Sequence, residues 1–382
     1  MARRYFHDVK SACPKTTSQM RKIKVCFLIP SLKSGGIETY LLRFLKEQKD
    51  VIIATVLVRN NSSGELYDDY LDTNAKIVFK PLGYFSLSAL IWYYKFFMNQ
   101  KYDTICDFNA NFAGLPMLLA KLAGVEKRIS FYRQGSNHFK MNSFKTLYNY
   151  LMNRLVYKYS TAIFANSSAG LEFFFPKEYL IDDRFKVIRN GIKIEDYLKN
   201  NNEKKVLRKK LDLPEDKFII GHTGRYTAAK NHEYFLKVAK KLVMEDQNLH
   251  FVLIGYDTTL LLPFIQQLEL EDYFTVLEFK RNIPEYLAAF DLYFFPSVTE
   301  GQPNALIEAM VAGLPIVASD IPSIKECFEK DRKNCLIDPY DENSAIEKIR
   351  VVKESPHHYT NQTFAVAHFN ANIQFAEFKN NL

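Results

Sequence analysis

The sequence predicts an α/β chain of two doubly wound halves, each a parallel sheet covered by helices on both faces. Three observations predict it. Short runs of continuous apolar residues alternate with stretches of helical periodicity, the pattern of strands buried on both faces. A polar, highly charged stretch interrupts the series once, after which it restarts. Motifs rich in Gly, Arg, Lys and Glu follow several apolar runs directly, and in open parallel sheets ligands bind beyond the C-terminal strand ends.

The elements follow in order. Residues 1–19 show no periodicity, whereas MRKIKVCFLIP from Met20 has the form of a natural start, a basic tripeptide followed by a buried strand. The first 19 residues are therefore read as a disordered leader or an overcalled start. Residues 20–194 hold the runs IKVCFLI, VIIATVLV, KIVF, DTICDF, RISFY and AIFAN, forming the first domain. The stretch IEDYLKNNNEKKVLRKKLDLPEDK is taken as the interdomain connection. Residues 195–355 form the second domain, with the runs KFIIGHTGR, HFVLIG, FTVLEF, LYFFPS, PIVAS and NCLID. Residues 356–382 read as helix.

Composition bounds this reading. At 382 residues the chain is long enough for two cores, and 47% hydrophobic with 25% charged residues is ordinary for a globular protein. The five cysteines, Cys13, Cys26, Cys106, Cys327 and Cys335, are odd in number and lack metal-ligand spacing, which points to a reducing compartment. Cys26 and Cys106 lie in apolar runs and read as inert core thiols. No stretch reaches the roughly 18 apolar residues of a membrane span. The first twenty residues lack the apolar core of a secretory signal.

The most informative segment is FFPSVTEGQPNALIEAMVAGLPIVASD, residues 294–320. It reads as strand, loop with Glu300, helix with Glu308, and strand, with Pro303 suited to the first helical turn. A helix start presents unpaired backbone N–H groups, here of Gln302, Asn304 and Ala305, which suit a phosphate. Carboxylates accept hydrogen bonds from sugar and ribose hydroxyls, so the combination suits a nucleotide sugar. Spacing alone is weak evidence, because Glu195 and Glu203 repeat it in a polar stretch without flanking strands.

On these residues the chain resembles the retaining GT-B glycosyltransferases, group 1 or family 4, of the bacterial capsule, exopolysaccharide and lipopolysaccharide type. Glu300, Gly301, Pro303, Glu308, Gly313 and Pro315 match the E-G-x-P…E…G-x-P signature. GRYTAAKNH from Gly224, SGGIET, VIRNGI and RNIPEYLAAFD match further. The resemblance implies a GT-B fold, two Rossmann-like domains facing a central cleft, the first for the acceptor and the second for the donor. It also implies that the last residues cross back onto the first domain.

The resemblance assigns roles residue by residue. Arg225 and Lys230 would neutralise the departing diphosphate, Glu308 would hold the ribose hydroxyls, and Glu300 would contact the donor sugar. Asn282 and Ile283 lie where the family's loop meets the base, partly through backbone groups. Gly224 belongs to the Gly-Arg turn. Gly35 and Gly36 follow the first strand, where the absence of Cβ permits close approach to a ligand. Many relatives carry a catalytic histidine in the first domain, and here the chain departs from them: RISFYRQGSNHFK has Tyr132 and Arg133 in its place and His138 several residues on. Either His138 is displaced into the site, or Arg133 stabilises the leaving phosphate. Asp107 likewise stands where others have His after the fourth strand. No metal or cofactor is implied: Asp-x-Asp, a Walker loop and G-x-G-x-x-G are all absent.

Charge is divided unevenly. Residues 1–190 hold 28 Lys and Arg against 15 Asp and Glu, and the remainder holds 23 against 28. The basic residues are spread among aromatics and no nucleic-acid module is visible, so an anionic membrane surface fits better than nucleic acid. FKMNSFKTLYNYLMNRLVYKY, residues 139–159, interleaves Lys140, Lys145, Arg154 and Lys158 with apolar and aromatic side chains. YFSLSALIWYYKFFM, residues 84–98, is comparable, and both also read as amphipathic helices packed on a sheet.

The predicted function is therefore a retaining, metal-independent glycosyltransferase. It would move a sugar from a nucleotide diphosphate, UDP by preference, to a surface-glycan acceptor that is glycan or lipid-linked. Its place would be cytoplasmic, peripheral on the inner face of the cell membrane. Sugar-nucleotide epimerases share the architecture, although their catalytic carboxylates are not recognisable here. A non-catalytic nucleotide-sugar-binding relative is the third reading.

Overall fold

The computed structural model describes residues 21–83, 86–135, 143–198, 203–331 and 333–382. In the first domain lie β1 (Ile23–Ile29), β2 (Ile52–Val58), β3 (Lys76–Phe79), β4 (Thr104–Asp107), β5 (Lys127–Tyr132), β6 (Ala162–Ala165) and β7 (Phe185–Val187). They form a seven-stranded parallel sheet of order β3-β2-β1-β4-β5-β6-β7. The second domain holds β8 (Phe218–Thr223), β9 (Leu249–Ile254), β10 (Phe274–Leu277), β11 (Leu292–Phe295), β12 (Ile316–Ser319) and β13 (Leu336–Ile337). These form a six-stranded parallel sheet of order β10-β9-β8-β11-β12-β13.

Strand order reverses between β1 and β4 in one sheet and between β8 and β11 in the other. Such reversals open a crevice at the C-terminal strand ends, because the crossovers on either side run over opposite faces. The loops after β1, β8 and β11 therefore have to border ligand crevices. The apolar runs are continuous because helices cover both faces: Val25 to Ile29 in β1 and all of β9 are buried.

The stretch read as a linker belongs instead to the second domain. It forms helices Ile194–Leu198 and Lys204–Lys210, and Ile194, Leu207 and Leu213 are buried in that domain's core. Arg208 is buried beside them, donating to the carbonyls of Ala289, Glu215 and Lys217, each at 3.0 Å, and pairing with Asp291. A narrow inward stripe of leucines under a lysine-rich surface is invisible to average composition.

The C-terminal residues divide between the domains. Helix Gln362–His368 stays with the second, where Gln362 Nε2 donates to the Val311 carbonyl at 2.8 Å. The chain then runs beside the first crossing, with Ile192 N–H donating to Phe369 O at 2.7 Å and Ala371 N–H to Ile192 O at 2.9 Å. Helix Ala371–Asn380 lays Phe375 and Phe378 into the first domain's core against Phe44, with ring centroids 5.7 and 4.7 Å away. Each buried Phe contributes about 1.5–3 kcal/mol relative to exposure, so this tail is part of the first domain's core.

Two further helices of the first domain present divided faces. Leu87–Gln100 buries Tyr93 and Phe97 against the sheet layer while Leu87, Ile91 and Met98 are exposed. Ser143–Tyr159 buries Met152 and Val156, and its exposed side carries Leu147, Tyr150, Leu151, Arg154 and Lys158. No helix among the described residues is long and apolar enough to cross a membrane.

Candidate active site

Where β8 ends, Gly224 and Arg225 turn the chain outward, and a short turn Ala228–Lys230 follows. Val298 N–H donates to Ala229 O at 2.9 Å, which ties this loop to the one after β11. The tie brings Lys230 Nζ to 2.6 Å from Glu300 Oε1, both side chains mostly buried. Helix Asn304–Val311 then starts at Pro303, which caps it instead of lying in its first turn as the sequence predicts. The reason is its ψ of 103°, an extended value that serves the entry into the helix. The first helical N–H groups still have no intrahelical acceptor.

Glu308, on this helix, is reached from the other domain. Arg43, on helix Gly36–Gln48, donates to Glu308 Oε1 at 2.9 Å, and the Tyr197 hydroxyl hydrogen-bonds the pair. Attraction by Glu308 and Tyr197 outweighs burial and holds the Arg43 guanidinium above its ordinary value. Arg225 also crosses the cleft, donating to the Ser34 carbonyl at 3.1 Å. Its guanidinium lies 5.1 Å from the centroid of Tyr256, which stacks on Phe279 at 4.6 Å and 10°. The stack stands at the ends of β9 and β10.

On the first domain's side, Ser31 Oγ donates to Glu38 Oε1 at 2.8 Å, and burial pushes the Glu38 carboxyl up. Arg133 follows β5 directly. Its guanidinium carbon sits 3.7 Å from the Tyr40 ring centroid and Nη2 donates to Asn190 Oδ1 at 2.6 Å, while buried Nε and Nη1 have no hydrogen-bond partner among the described residues. Burial holds this guanidinium down to about 10, so an anion beside it would gain unusually. Asn190 is a hub: its N–H donates to Gln302 Oε1 at 2.6 Å, and its Nδ2 to Gln302 O at 2.9 Å and Asn304 Oδ1 at 2.6 Å. Glycine permits the closest approach between the domains: a Cβ on Gly135 would lie 2.0 Å from Glu300 O, and one on Gly301 2.5 Å from Arg133 O.

A cavity of about 650 Å³ lies between these walls. Gly35, Gly36, Arg133, Gly224, Arg225, Lys230, Ile283, Glu300 and the stretch from Gly301 to Ala305 line it together with Glu308. Asn282 does not line it. It is exposed and donates through Nδ2 to Glu285 Oε2 at 2.9 Å, the geometry of a residue starting helix Ile283–Ala289. His138 lies outside the described residues.

Other histidines near the phosphate-type loop are buried and neutral. His222 Nδ1–H donates to the Phe294 carbonyl at 2.9 Å, and its ring meets that of His232 edge-on at 5.0 Å. Burial first, then each one's positive neighbours, holds His222 well below the usual imidazole value and His232 down to about 4. Positive charge beside Glu300 therefore comes from Lys230 and Arg225.

Sequence reasoning passed over Glu38, Arg43, Asn190 and the Tyr256–Phe279 stack. Asn190 and Glu38 lie inside quoted motifs, and Arg43 follows Gly36 by seven residues, two helical turns along the same face. That spacing was a usable signal.

Two doubly wound domains with facing crevices, charged on both walls, are the GT-B arrangement. HepE of Anabaena in complex with UDP and glucose has this fold, with a TM-score of 0.77 at 20% identity over 94% of this chain and 98% of that one. Residues 203–365 match the family Glycosyl transferases group 1. The UDP-Gal:alpha-D-GlcNAc-diphosphoundecaprenol alpha-1,3-galactosyltransferase of Escherichia coli is 27% identical over 85% of this chain and 83% of its own length. The N-acetylgalactosamine-N,N'-diacetylbacillosaminyl-diphospho-undecaprenol 4-alpha-N-acetylgalactosaminyltransferase of Campylobacter jejuni is 26% identical over 87% and 90%. The chain is a glycosyltransferase that carries a group 1 domain at residues 203–365.

Proposed function

We propose that the chain is a retaining, metal-independent transferase that moves a sugar from UDP to a lipid-linked surface glycan. The observation that carries this is the gathering of Arg225, Lys230, Arg133 and a helix N-terminus with Glu300 and Glu308 in one cavity at two facing switch points. Relatives named for UDP-galactose and for diphosphoundecaprenol-linked acceptors support the donor and acceptor classes.

In this reading the bond from the anomeric carbon to the β-phosphate oxygen breaks while the acceptor hydroxyl bonds to the same face of that carbon. The hydroxyl proton passes to the departing phosphate oxygen. Charge growing on that phosphate meets Arg225, Lys230, Arg133 and the N–H groups at the start of helix Asn304–Val311, which are already in place and need no reorganisation. These cations supply the neutralisation that a divalent ion provides elsewhere. Glu308 accepts from ribose. Glu300, with Oε1 on Lys230, has Oε2 left for the donor sugar.

Incubation of UDP-sugars with and without lipid-diphosphate-linked glycan in EDTA tests the reading. Consumption of donor that depends on acceptor, with the anomeric configuration kept, is expected. Interconversion of free donor would mean an epimerase instead, and no consumption a binding protein.

The acceptor class calls for a membrane surface, and the exposed apolar stripes of Leu87–Gln100 and Ser143–Tyr159, interleaved with Lys95, Arg154 and Lys158, supply one. Each well-placed cation adds about 1 kcal/mol on anionic lipid, and salt weakens it because the Debye length is about 10 Å at 0.1 M. Co-sedimentation with anionic liposomes is expected to fall with salt and further in a variant with Lys145, Arg154 and Lys158 changed to Glu. Protein remaining in the supernatant at low salt would make the stripes ordinary surface.

A further inference from the structure

A second cavity, of about 200 Å³, lies in the first domain at the ends of β2, β3 and β4, lined by Arg59, Leu82, Asn109, Phe112, Leu115 and Tyr148 among others. None of these residues lines the main cleft. Its walls are of two kinds. Phe112 and Tyr148 present rings 6.2 Å apart and tilted by 41°, and Leu82 and Leu115 add aliphatic surface. Arg59 and Asn109 add polar groups. Aromatic and aliphatic walls with a few fixed donors match a sugar ring, whose C–H faces are apolar and whose hydroxyls ring its edge.

Charge decides against a phosphate. Arg59 already donates to Phe112 O at 3.1 Å and lies 3.9 Å from Asp107 Oδ2. Asp107 is fully buried and accepts from Asn109 N and Nδ2 at 2.8 and 2.7 Å. The guanidinium is thus already engaged by the Phe112 carbonyl and by Asp107, whose carboxyl is pushed up by burial. An anion entering the pocket would compete with Asp107, whereas a hydroxyl would not.

Position fixes the relation to the reaction. Arg59 N–H donates to Ile29 O at 3.0 Å, so the pocket opens beside the end of β1, and Ser31, two residues on, already lines the main cleft. Neighbouring strands stand about 4.8 Å apart, which places the pocket roughly one or two strand spacings from the cleft, the reach of a neighbouring sugar in a glycan. Its volume falls below the roughly 300 Å³ at which pockets for drug-sized ligands begin, so it takes one ring.

We propose that this pocket is an acceptor subsite for a neutral sugar one residue inward from the reacting sugar. The inference rests on the transferase reading and deepens it: the acceptor must carry at least two sugars, and another sugar-transfer reaction must act earlier to supply them. The test compares p-nitrophenyl glycosides of single neutral hexoses with those of the corresponding disaccharides, using a UDP-sugar that the chain hydrolyses. Disaccharides are expected to show a KM about tenfold lower, equivalent to ~1.4 kcal/mol of binding. Leu115→Trp, which fills the pocket, should erase that advantage while leaving UDP affinity and donor hydrolysis unchanged. Tyr148→Ala, which removes a wall without adding bulk, should do the same and guards against a folding defect in the first variant. Equal KM for both acceptor classes, with Leu115→Trp indistinguishable from the native chain, overturns the subsite and leaves the transferase assignment standing. Failure of that assignment would appear separately, as lost UDP binding and hydrolysis in the native chain.

Discussion

Alanine at Arg225 or Lys230 is expected to cost about 2–4 kcal/mol in the transition state, roughly 30- to 1000-fold in kcat. The physical reason is timing: charge on the β-phosphate grows as the glycosidic bond breaks, so a fixed cation gains most in the transition state. Lys230 carries a second task, because its removal leaves mostly buried Glu300 without the partner now 2.6 Å away. Lys230→Ala should therefore be worse than Lys230→Arg, which keeps a cation for both. Arg225 contacts Ser34 across the cleft, so Arg225→Ala should also change the donor KM. Steady-state kinetics of the three variants checks this, and near-native turnover in both alanine variants would remove the phosphate role.

Glu308→Gln and Glu300→Gln should separate the two halves of the donor. Hydrogen bonds to a charged group contribute about 1.5–3 kcal/mol, so a neutral amide at Glu308 should weaken UDP by roughly tenfold or more. The change would also leave the Arg43 guanidinium without its carboxylate, which adds to the loss. Glu300→Gln should bind UDP nearly as before and lose affinity for the intact UDP-sugar, because, of the donor's parts, it would touch only the sugar. Calorimetry with both ligands measures the division. Equal losses for both ligands in both variants would contradict it.

The strand runs were legible because a strand buried on both faces has to be apolar along its length, and every such run forms a strand in one of the two sheets. Arg225, Lys230 and Glu300 could be placed in loops that follow β8 and β11, and Glu308 in the helix after β11, because the strands before them are legible. The stretch from Ile194 to Lys217 misled because two short helices with one inward apolar stripe have the composition of a linker. The direction of the Asn282 side chain was not legible, because a motif position names a place in the chain and its bond to Glu285 decides the rest.

What the sequence determined by itself was the two parallel sheets and the placing of Arg225, Lys230, Glu300 and Glu308 beyond strand ends, since these follow from periodicity and from neighbours close along the chain. What the tertiary structure alone decided was the side-chain pairing across the cleft: Arg43 on Glu308, and Asn190 between Arg133 and Gln302. Arg43 and Glu308 stand 265 residues apart along the chain. No local pattern encodes such a contact, because it exists only when two independently folded surfaces meet, and its energy depends on the geometry of both.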